Sequence, residues 1–173
     1  FDGMLPADCR GLFPARHPSL AVIPLITYSV TTDGIRALLR DGCCLLKIKI
    51  GADPDQDGDL DKMLAWDKRR LSEIHRLADS YESPYTESGR ILYYLDANGR
   101  YDSLHRVEAL LAHARAIGAL GRIILFEEPF PEEMKLDVSA LPVRVAADES
   151  AHSAADVEER IALGYRAIAL KPI

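Results

Sequence analysis

Polar side chains that could do acid–base or metal chemistry recur along this chain where short apolar runs end. Two lysines close one run, acidic residues close three others, and a further lysine closes the last. In chain order they are Lys47-Ile48-Lys49, Asp96-Ala97-Asn98, Glu127-Glu128-Pro129, Asp148-Glu149-Ser150 and Lys171, preceded by the polar Thr27-Tyr28-Ser29. Because successive parallel strands end at the same edge of a sheet, these groups are expected to form one site.

The apolar runs alternate with stretches of helical periodicity, which indicates a repeated strand–helix unit. The predicted strands cover residues 21–29, 44–50, 91–96, 123–127, 143–147 and 167–171, and the predicted helices cover about 32–40, 60–78, 103–117 and 154–163. A parallel barrel draws its catalytic groups from the ends of several strands, whereas a doubly wound sheet gathers them at one switch point. The spread of polar ends therefore favours an α/β fold of the (β/α)8-barrel type.

The length of the chain limits how much of such a barrel is present. A whole barrel needs about 250 residues, and this chain has 173 and supplies about six strand–helix units, strands 1–6. We expect residues 20–173 to form a partial barrel that is the catalytic domain. Residues 1–19 contain three prolines, so we expect an irregular entry segment. We expect further sequence on both sides.

Composition excludes some classes of partner. The formal net charge of −6 disfavours nucleic acid, whose binding depends on clustered Lys and Arg. The longest apolar stretch, residues 20–30, is interrupted by Pro24 and is too short to cross a bilayer. Three cysteines, two of them adjacent, are more typical of a reduced cytosolic protein than of a disulfide scaffold. We therefore expect a cytoplasmic protein without membrane contact, and we also expect a homo-oligomer.

The two-residue period of a strand predicts which side chains share a face. Lys47 and Lys49 point the same way, and small Ala146 shares its face with Asp148. The fourth strand is apolar on both faces, so alternation alone does not choose between Glu127 and Glu128.

Carboxylates on three neighbouring strands make a set of hard oxygen ligands, suited to Mg²⁺ or Mn²⁺. A dication there would stabilise an enolate oxygen, and it would lower the pKa of nearby lysines because like charge disfavours the ammonium form. A lysine with a lowered pKa is a base. The set is typical of proton abstraction from a carbon next to a carboxylate, which predicts a small carboxylate as the substrate.

These motifs together resemble the enolase superfamily, specifically its muconate-lactonizing and dipeptide-epimerase branch. The resemblance covers about residues 25–171 and implies one Mg²⁺ or Mn²⁺ ion. It also implies that residues 1–19 come from a missing N-terminal capping domain. It implies that the metal ligands are Asp96, Glu127 and Asp148, and so selects the first acid of the Glu-Glu-Pro motif.

The same resemblance implies the roles of the remaining polar residues. Lys49 would be a base and Lys171 a second base on the opposite face of the substrate. Lys47 would assist the substrate carboxylate, and Thr27 and Asn98 would contact the substrate. The predicted activity is a metal-dependent racemase or epimerase.

Two other classes of function remain open. A cycloisomerase or syn-dehydrating synthase of the same superfamily would use the same lysines, one of them as a cationic stabiliser. A non-catalytic barrel or a calcium-binding module is the other alternative, because residues 53–61 have the acidic spacing of a calcium loop. Leu64 stands where that loop requires Glu, so an acidic helix start is the preferred interpretation of this segment.

Overall fold

The computed structural model describes residues 20–170, which form a parallel sheet with helices between the strands. The strands are β1 (Leu25–Ile26), β2 (Leu45–Lys49), β3 (Leu92–Asp96), β4 (Ile123–Glu127), β5 (Val145–Ala147) and β6 (Ala167–Ile168). The helices are α1 (Thr32–Arg40), α2 (Leu60–Ala78), α3 (Leu104–Ala116) and α4 (Ala154–Ala162), with a 3₁₀ turn at Leu120–Arg122.

The strands lie side by side in the order in which the chain supplies them, β1-β2-β3-β4-β5-β6, and each pair is parallel. Sequential order with a crossover after each strand is the arrangement of a barrel, whereas a doubly wound sheet reverses its order at a switch point. The predicted fold class, a partial (β/α) barrel with six strands, is confirmed.

Short polar side chains cap α2 and α4. The Asp59 carboxylate accepts hydrogen bonds from the backbone N–H groups of Asp61 and Lys62 and so caps α2. Ser153 and Asp156 form a reciprocal capping box at α4. The interpretation of residues 53–61 as an acidic helix start is therefore confirmed at its last residues.

The first strand is much shorter than predicted. Only Leu25 and Ile26 pair with β2, although the apolar run begins at residue 20. Pro24 has no N–H to donate to a sheet, and Leu20 and Val22 before it are 86% and 77% exposed. Strand β6 is described as Ala167–Ile168, and Lys171 lies outside the described residues, as does the segment 1–19.

The alternation predicted for the strands is visible in their burial. Ile48, Leu95 and Phe126 align across β2, β3 and β4 and are fully buried. Lys47 and Lys49 alternate with Ile48 and are partly exposed on the opposite face, as predicted. Since Phe126 belongs to the apolar layer, its neighbour Glu127 lies on the face of the lysines. Tertiary packing thus makes the choice that alternation alone left open.

Within residues 20–170, none of the helices combines the length and the apolar character that crossing a membrane requires.

The apolar layer on this sheet should dominate the free energy of unfolding. Replacing the fully buried Ile48 by Ala should lower that free energy by about 2–5 kcal/mol, because it removes methylene contacts and leaves a cavity. The same replacement at Ile161, which is 53% exposed, should change it by less than about 0.5 kcal/mol. Denaturant unfolding followed by circular dichroism measures both, and equal losses would contradict this account of the core.

Candidate active site

Two lysines and two carboxylates meet at the carboxyl ends of β2, β3 and β4. Lys49 pairs in register with Asp96, and Asp96 pairs with Glu127, so the three stand side by side across the sheet. The Lys49 Nζ lies 2.6 Å from Asp96 Oδ2. The Lys47 Nζ lies 2.9 Å from the same oxygen and also donates to Glu127 Oε2. We call Lys47, Lys49, Asp96 and Glu127 the lysine–carboxylate cluster.

Burial and neighbouring charge affect the two carboxylates of the cluster differently. Asp96 and Glu127 are 1% and 2% exposed, and burial raises a carboxyl pKa because it disfavours the charged form. At Asp96, hydrogen bonds from Lys49 and Lys47 outweigh burial and hold the pKa below its usual range. At Glu127 burial prevails over the bond from Lys47, and the pKa is raised. Asp96 therefore ionises more readily than Glu127.

Hydrogen bonds raise the pKa of Lys47. Burial by itself would lower it, but hydrogen bonds to Glu127 and Asp96 outweigh burial. The lowered lysine pKa expected beside a bound dication stays a prediction. A permanent ammonium suits the assisting role that the resemblance implies for Lys47.

Tyr94 is a member of this site that the sequence analysis missed. The Lys47 Nζ lies 4.8 Å from the centre of the Tyr94 ring, within cation–π range. The Tyr94 hydroxyl hydrogen-bonds Glu127. Burial is the larger cause, and this hydrogen bond the second, of a raised pKa of Tyr94. Tyr94 lies two residues before Asp96, so the alternation of the strand could have placed it on the same face.

Asn98 lies beside Lys49 at the end of β3. Its Oδ1 accepts a hydrogen bond from Lys49, and its Nδ2 donates to Glu149 Oε1 at 2.9 Å. Its own backbone N–H donates to Asp96 Oδ1 at 3.2 Å. The backbone of Asn98 has a left-handed φ of 46°, a conformation that Asn tolerates better than most residues. Asn98 therefore links the end of β3 to the end of β5.

Glu128 holds the loop that carries Asp148. Its Oε2 accepts the backbone N–H of Asp148 at 2.6 Å and that of Ser150 at 3.2 Å, together with the Ser150 hydroxyl at 3.0 Å. The side chain is 1% exposed, and the backbone has a left-handed φ of 36°. The second acid of the Glu-Glu-Pro motif thus points to the loop after β5, while Glu127 points to the lysines.

The donor groups of the cluster are those that a hard dication prefers. Two buried carboxylates, Asp96 and Glu127, already converge on one cation, the Lys47 ammonium. Carboxylate oxygens are the ligands of Mg²⁺ and Mn²⁺, so the chemistry of this pair fits the ion that the sequence implied. Among residues 20–170, however, no three His, Cys, Asp or Glu side chains are grouped closely enough to hold an ion. Asp148 as the third ligand stays a prediction.

Thr27 is a further predicted site residue and lies directly after β1. Thr27 follows Ile26, the partner of Ile48 in β2, and so lies near the level of Lys49. Its hydroxyl hydrogen-bonds Ser29 at 3.1 Å. The position of Lys171 lies outside the described residues, and its role stays a prediction.

A buried carboxylate on α2 fixes the loop that follows Lys49. Asp67 Oδ2 accepts the Gly51 N–H at 2.8 Å and the Tyr101 hydroxyl at 2.7 Å, and its Oδ1 accepts the Ala52 N–H at 3.4 Å. Tyr101 in turn donates its backbone N–H to Pro129 O at 2.9 Å. Asp67 therefore connects the loops that follow β2, β3 and β4. These three strands carry the residues of the cluster. The helical pattern of α2 gave no signal for this role, since Asp67 is one of several acids in that region.

Comparison with solved structures finds the same fold in enzymes. An O-succinylbenzoate synthase from Thermosynechococcus elongatus BP-1, complexed with Mg in its active site, matches with 20% identity and a TM-score of 0.59 over 91% of this chain and 45% of its own. An N-succinyl Arg/Lys racemase from Bacillus cereus ATCC 14579 matches with 14% identity and a TM-score of 0.64 over 88% and 38%. The L-Ala-D/L-Glu epimerase from Bacillus subtilis matches with 22% identity and a TM-score of 0.57 over 82% and 36%.

These three enzymes are members of the enolase superfamily, the family that the sequence motifs resemble. The likeness to them confirms the fold that the resemblance implied. The chain spans between about a third and a half of the length of each. No family model and no curated protein matches the sequence.

Asp67 should make the stability of the protein depend on pH between about 4 and 6. Burial raises its pKa from 3.8 to about 6, against the opposing effect of its hydrogen bonds. Over this interval the folded state binds the proton more tightly than the unfolded state, so the free energy of unfolding falls as pH rises. The full loss above pH 6 is roughly 3 kcal/mol, since one pKa unit corresponds to about 1.4 kcal/mol.

Asp67→Asn should remove this dependence while it keeps acceptors for Gly51 and Tyr101. Denaturant unfolding of wild type and variant at pH 4, 5 and 7 measures the difference between their profiles. Asp33→Asn, on a side chain that is 87% exposed, is the matched control and should leave the profile parallel to wild type. A parallel profile for the Asp67 variant would contradict the prediction.

Proposed function

We propose that this chain carries the core of a divalent-metal-dependent racemase or epimerase that removes the proton α to the carboxylate of a small substrate. The observation that carries the proposal is the lysine–carboxylate cluster, in which two lysines and two buried carboxylates meet at one edge of successive parallel strands. The fold shared with two racemases or epimerases and a synthase supports it. A homo-oligomer and a cytoplasmic location stay predictions.

The proposed ion would be held by Asp96, Glu127 and Asp148. When bound, a dication supplies stabilisation of the negative charge that develops on the substrate carboxylate. The Lys47 ammonium lies against both Asp96 and Glu127, so it is placed to hold the same carboxylate by charge. The Tyr94 ring supports Lys47 from one side, which keeps that ammonium at the cluster.

The proton transfers are assigned to Lys49 and Lys171. The Lys49 Nζ takes the α-proton on one face, and Asn98 and Asp96 orient that nitrogen. The Lys171 Nζ returns a proton to the other face, which inverts the α-carbon.

The register of the sheet supports the choice of Lys171. In a barrel of this type the strands are tilted relative to the barrel axis. The residue at a given level along that axis therefore lies about one position further along the chain, relative to the hydrogen-bonded register, with each successive strand. Lys49, Asp96, Glu127, Ala146 and Ala167 stand at one register level across five strands. The residue opposite Lys49 is thus expected about four positions after Ala167, which is where Lys171 falls in the sequence.

The proposed metal site can be tested with Mn²⁺, which electron paramagnetic resonance detects directly. Asp96→Asn and Glu127→Gln should each weaken Mn²⁺ binding by at least tenfold, because each removes an anionic oxygen ligand. Asp148→Asn should do the same if it joins the set. Asp102→Asn, whose carboxylate pairs with Arg106 away from the cluster, should bind as wild type does.

The calcium-module alternative gives a different pattern when Ca²⁺ binding is measured by isothermal titration calorimetry, since Ca²⁺ has no electron paramagnetic resonance signal. It requires that Asp53→Asn, not the cluster variants, abolish binding of Ca²⁺. That pattern, or Mn²⁺ binding unchanged in both Asp96→Asn and Glu127→Gln, would contradict the proposed site.

The two-base mechanism predicts an asymmetric loss of exchange. N-succinyl amino acids and Ala-Glu dipeptides serve as candidate substrates in D₂O, and NMR follows deuterium uptake at the α-carbon of each enantiomer. Lys49→Ala and Lys171→Ala should each abolish racemisation and lower exchange into opposite enantiomers by about 10²–10⁴, the usual contribution of a general base. Lys135→Ala, on a lysine that pairs with Glu159 away from the cluster, is the matched control.

The outcome separates the two enzyme classes. Equal loss of exchange from both enantiomers in both variants would instead favour a cycloisomerase or a syn-dehydrating synthase with a single base. Undiminished exchange in the Lys49 variant would remove that residue from the mechanism.

A further inference from the structure

A cleft of about 500 Å³ opens beside the cluster, between the β2–α2 loop and the start of α2. Its lining includes Tyr28, Gly51, Asp53, Gln56, Trp66 and Arg100. We call it the Arg100 cleft. Gly51 follows Lys49 by two residues and Arg100 follows Asn98 by two, so the cleft lies at the same edge of the sheet as the cluster. None of the roles assigned above uses it.

Two aromatic rings form one wall of the Arg100 cleft. Tyr28 and Trp66 contact each other edge to face, with ring centres 5.6 Å apart and planes at 83°. The Tyr28 hydroxyl donates to Ile50 O at 2.8 Å, which fixes the ring against the end of β2. This wall offers apolar area to a ligand without further ordering of either ring.

The Arg100 side chain is held in place at its base. Gly51 has a left-handed φ of 81°, and a Cβ added to it would lie 2.5 Å from the Cβ of Arg100. The stem of Arg100 therefore packs directly on the Gly51 backbone. Arg100 and Tyr28 line the same cleft.

No carboxylate within residues 20–170 neutralises Arg100 by an ion pair, whereas Arg36, Arg70, Arg106 and Arg122 each pair with one. The acid that lines the same cleft is engaged elsewhere. The Asp53 carboxylate accepts the backbone N–H groups of Asp57 at 3.3 Å and Gly58 at 3.0 Å. The cleft thus combines the Arg100 guanidinium with the aromatic wall of Tyr28 and Trp66. Within residues 20–170, no carboxylate forms an ion pair with that guanidinium.

We propose that the Arg100 cleft binds a carboxylate group attached to an apolar body, with Arg100 as its cationic partner. A guanidinium recognises a carboxylate through two parallel hydrogen bonds, and the Tyr28–Trp66 wall covers the apolar body next to it. That this ligand is a second carboxylate of the substrate rests on the proposed function, since the cleft adjoins the end of the strand that carries Lys49.

The single tryptophan of the chain, Trp66, gives a direct readout. Titration with benzoate should change the Trp66 fluorescence and reach saturation, whereas benzyl alcohol, which has the same ring without the charge, should not do so over the same range. Arg100→Gln should weaken benzoate binding at least tenfold, because charged hydrogen bonds are lost. Arg100→Lys keeps the charge and the packed stem but not the paired geometry, and it should fall between wild type and the Gln variant.

Arg115→Gln makes the same charge change on the exposed face of α3 and should bind benzoate as wild type does. Circular dichroism shows whether each variant is folded. The proposal is overturned if wild type shows no saturable change, if Arg100→Gln binds as tightly as wild type, or if Arg115→Gln is weakened equally.

Failure of the proposed function is distinguishable from failure of the cleft. The benzoate titration needs neither a metal nor turnover, and Lys135→Ala, on a lysine that pairs with Glu159 and does not line the cleft, should leave it unchanged. Absence of deuterium exchange with intact benzoate binding would count against the proposed activity alone. Exchange that requires Lys49, together with no benzoate binding, would count against the cleft alone.

Discussion

Two carboxylates buried side by side are the constraint on which the rest of the site depends. Asp96 and Glu127 pair in register at the ends of β3 and β4, and both are almost completely removed from water. Two buried anions repel each other and lose solvation, so such a pair persists only when cations balance it. Lys47 and Lys49 provide that balance from the adjacent strand β2. The alternation of β2 then requires Ile48 between them to face the apolar layer.

Two further buried acids, Asp67 and Glu128, fix the loops around Asp96 and Glu127. Asp67 accepts hydrogen bonds from the loop after β2, and Glu128 accepts them from the loop after β5. Loops at the edge of a sheet have few hydrogen-bond partners of their own, so a carboxylate that accepts several N–H groups can fix their path. The cost is visible at Asp67, whose pKa is raised to about 6 mainly by burial. The carboxylate that orders the loops around the cluster therefore also lowers the free energy of unfolding at neutral pH.

Much of the fold could be predicted because its signals are local and repeated. The strand at 123–127 was predicted with the bounds that the structure has, and the predicted apolar stripe from Leu60 to Ala78 lies on α2, because a short apolar run bounded by polar residues and a long apolar stripe are both local patterns. The first strand was overestimated, because an apolar run marks hydrophobicity but does not say whether a neighbouring strand is there to pair with it. Pro24 was the local signal that this strand is short.

The sequence by itself determined the number and order of the strand–helix units, the face shared by Lys47 and Lys49, and the chemical types at the strand ends. It did so because periodicity and residue type are written along the chain. Only the tertiary structure decided that Glu128 holds the loop after β5, and that Tyr94, Asp67 and Arg100 surround the site. Those roles depend on contacts between residues far apart in sequence, and such contacts exist only after parallel strands have been brought into register.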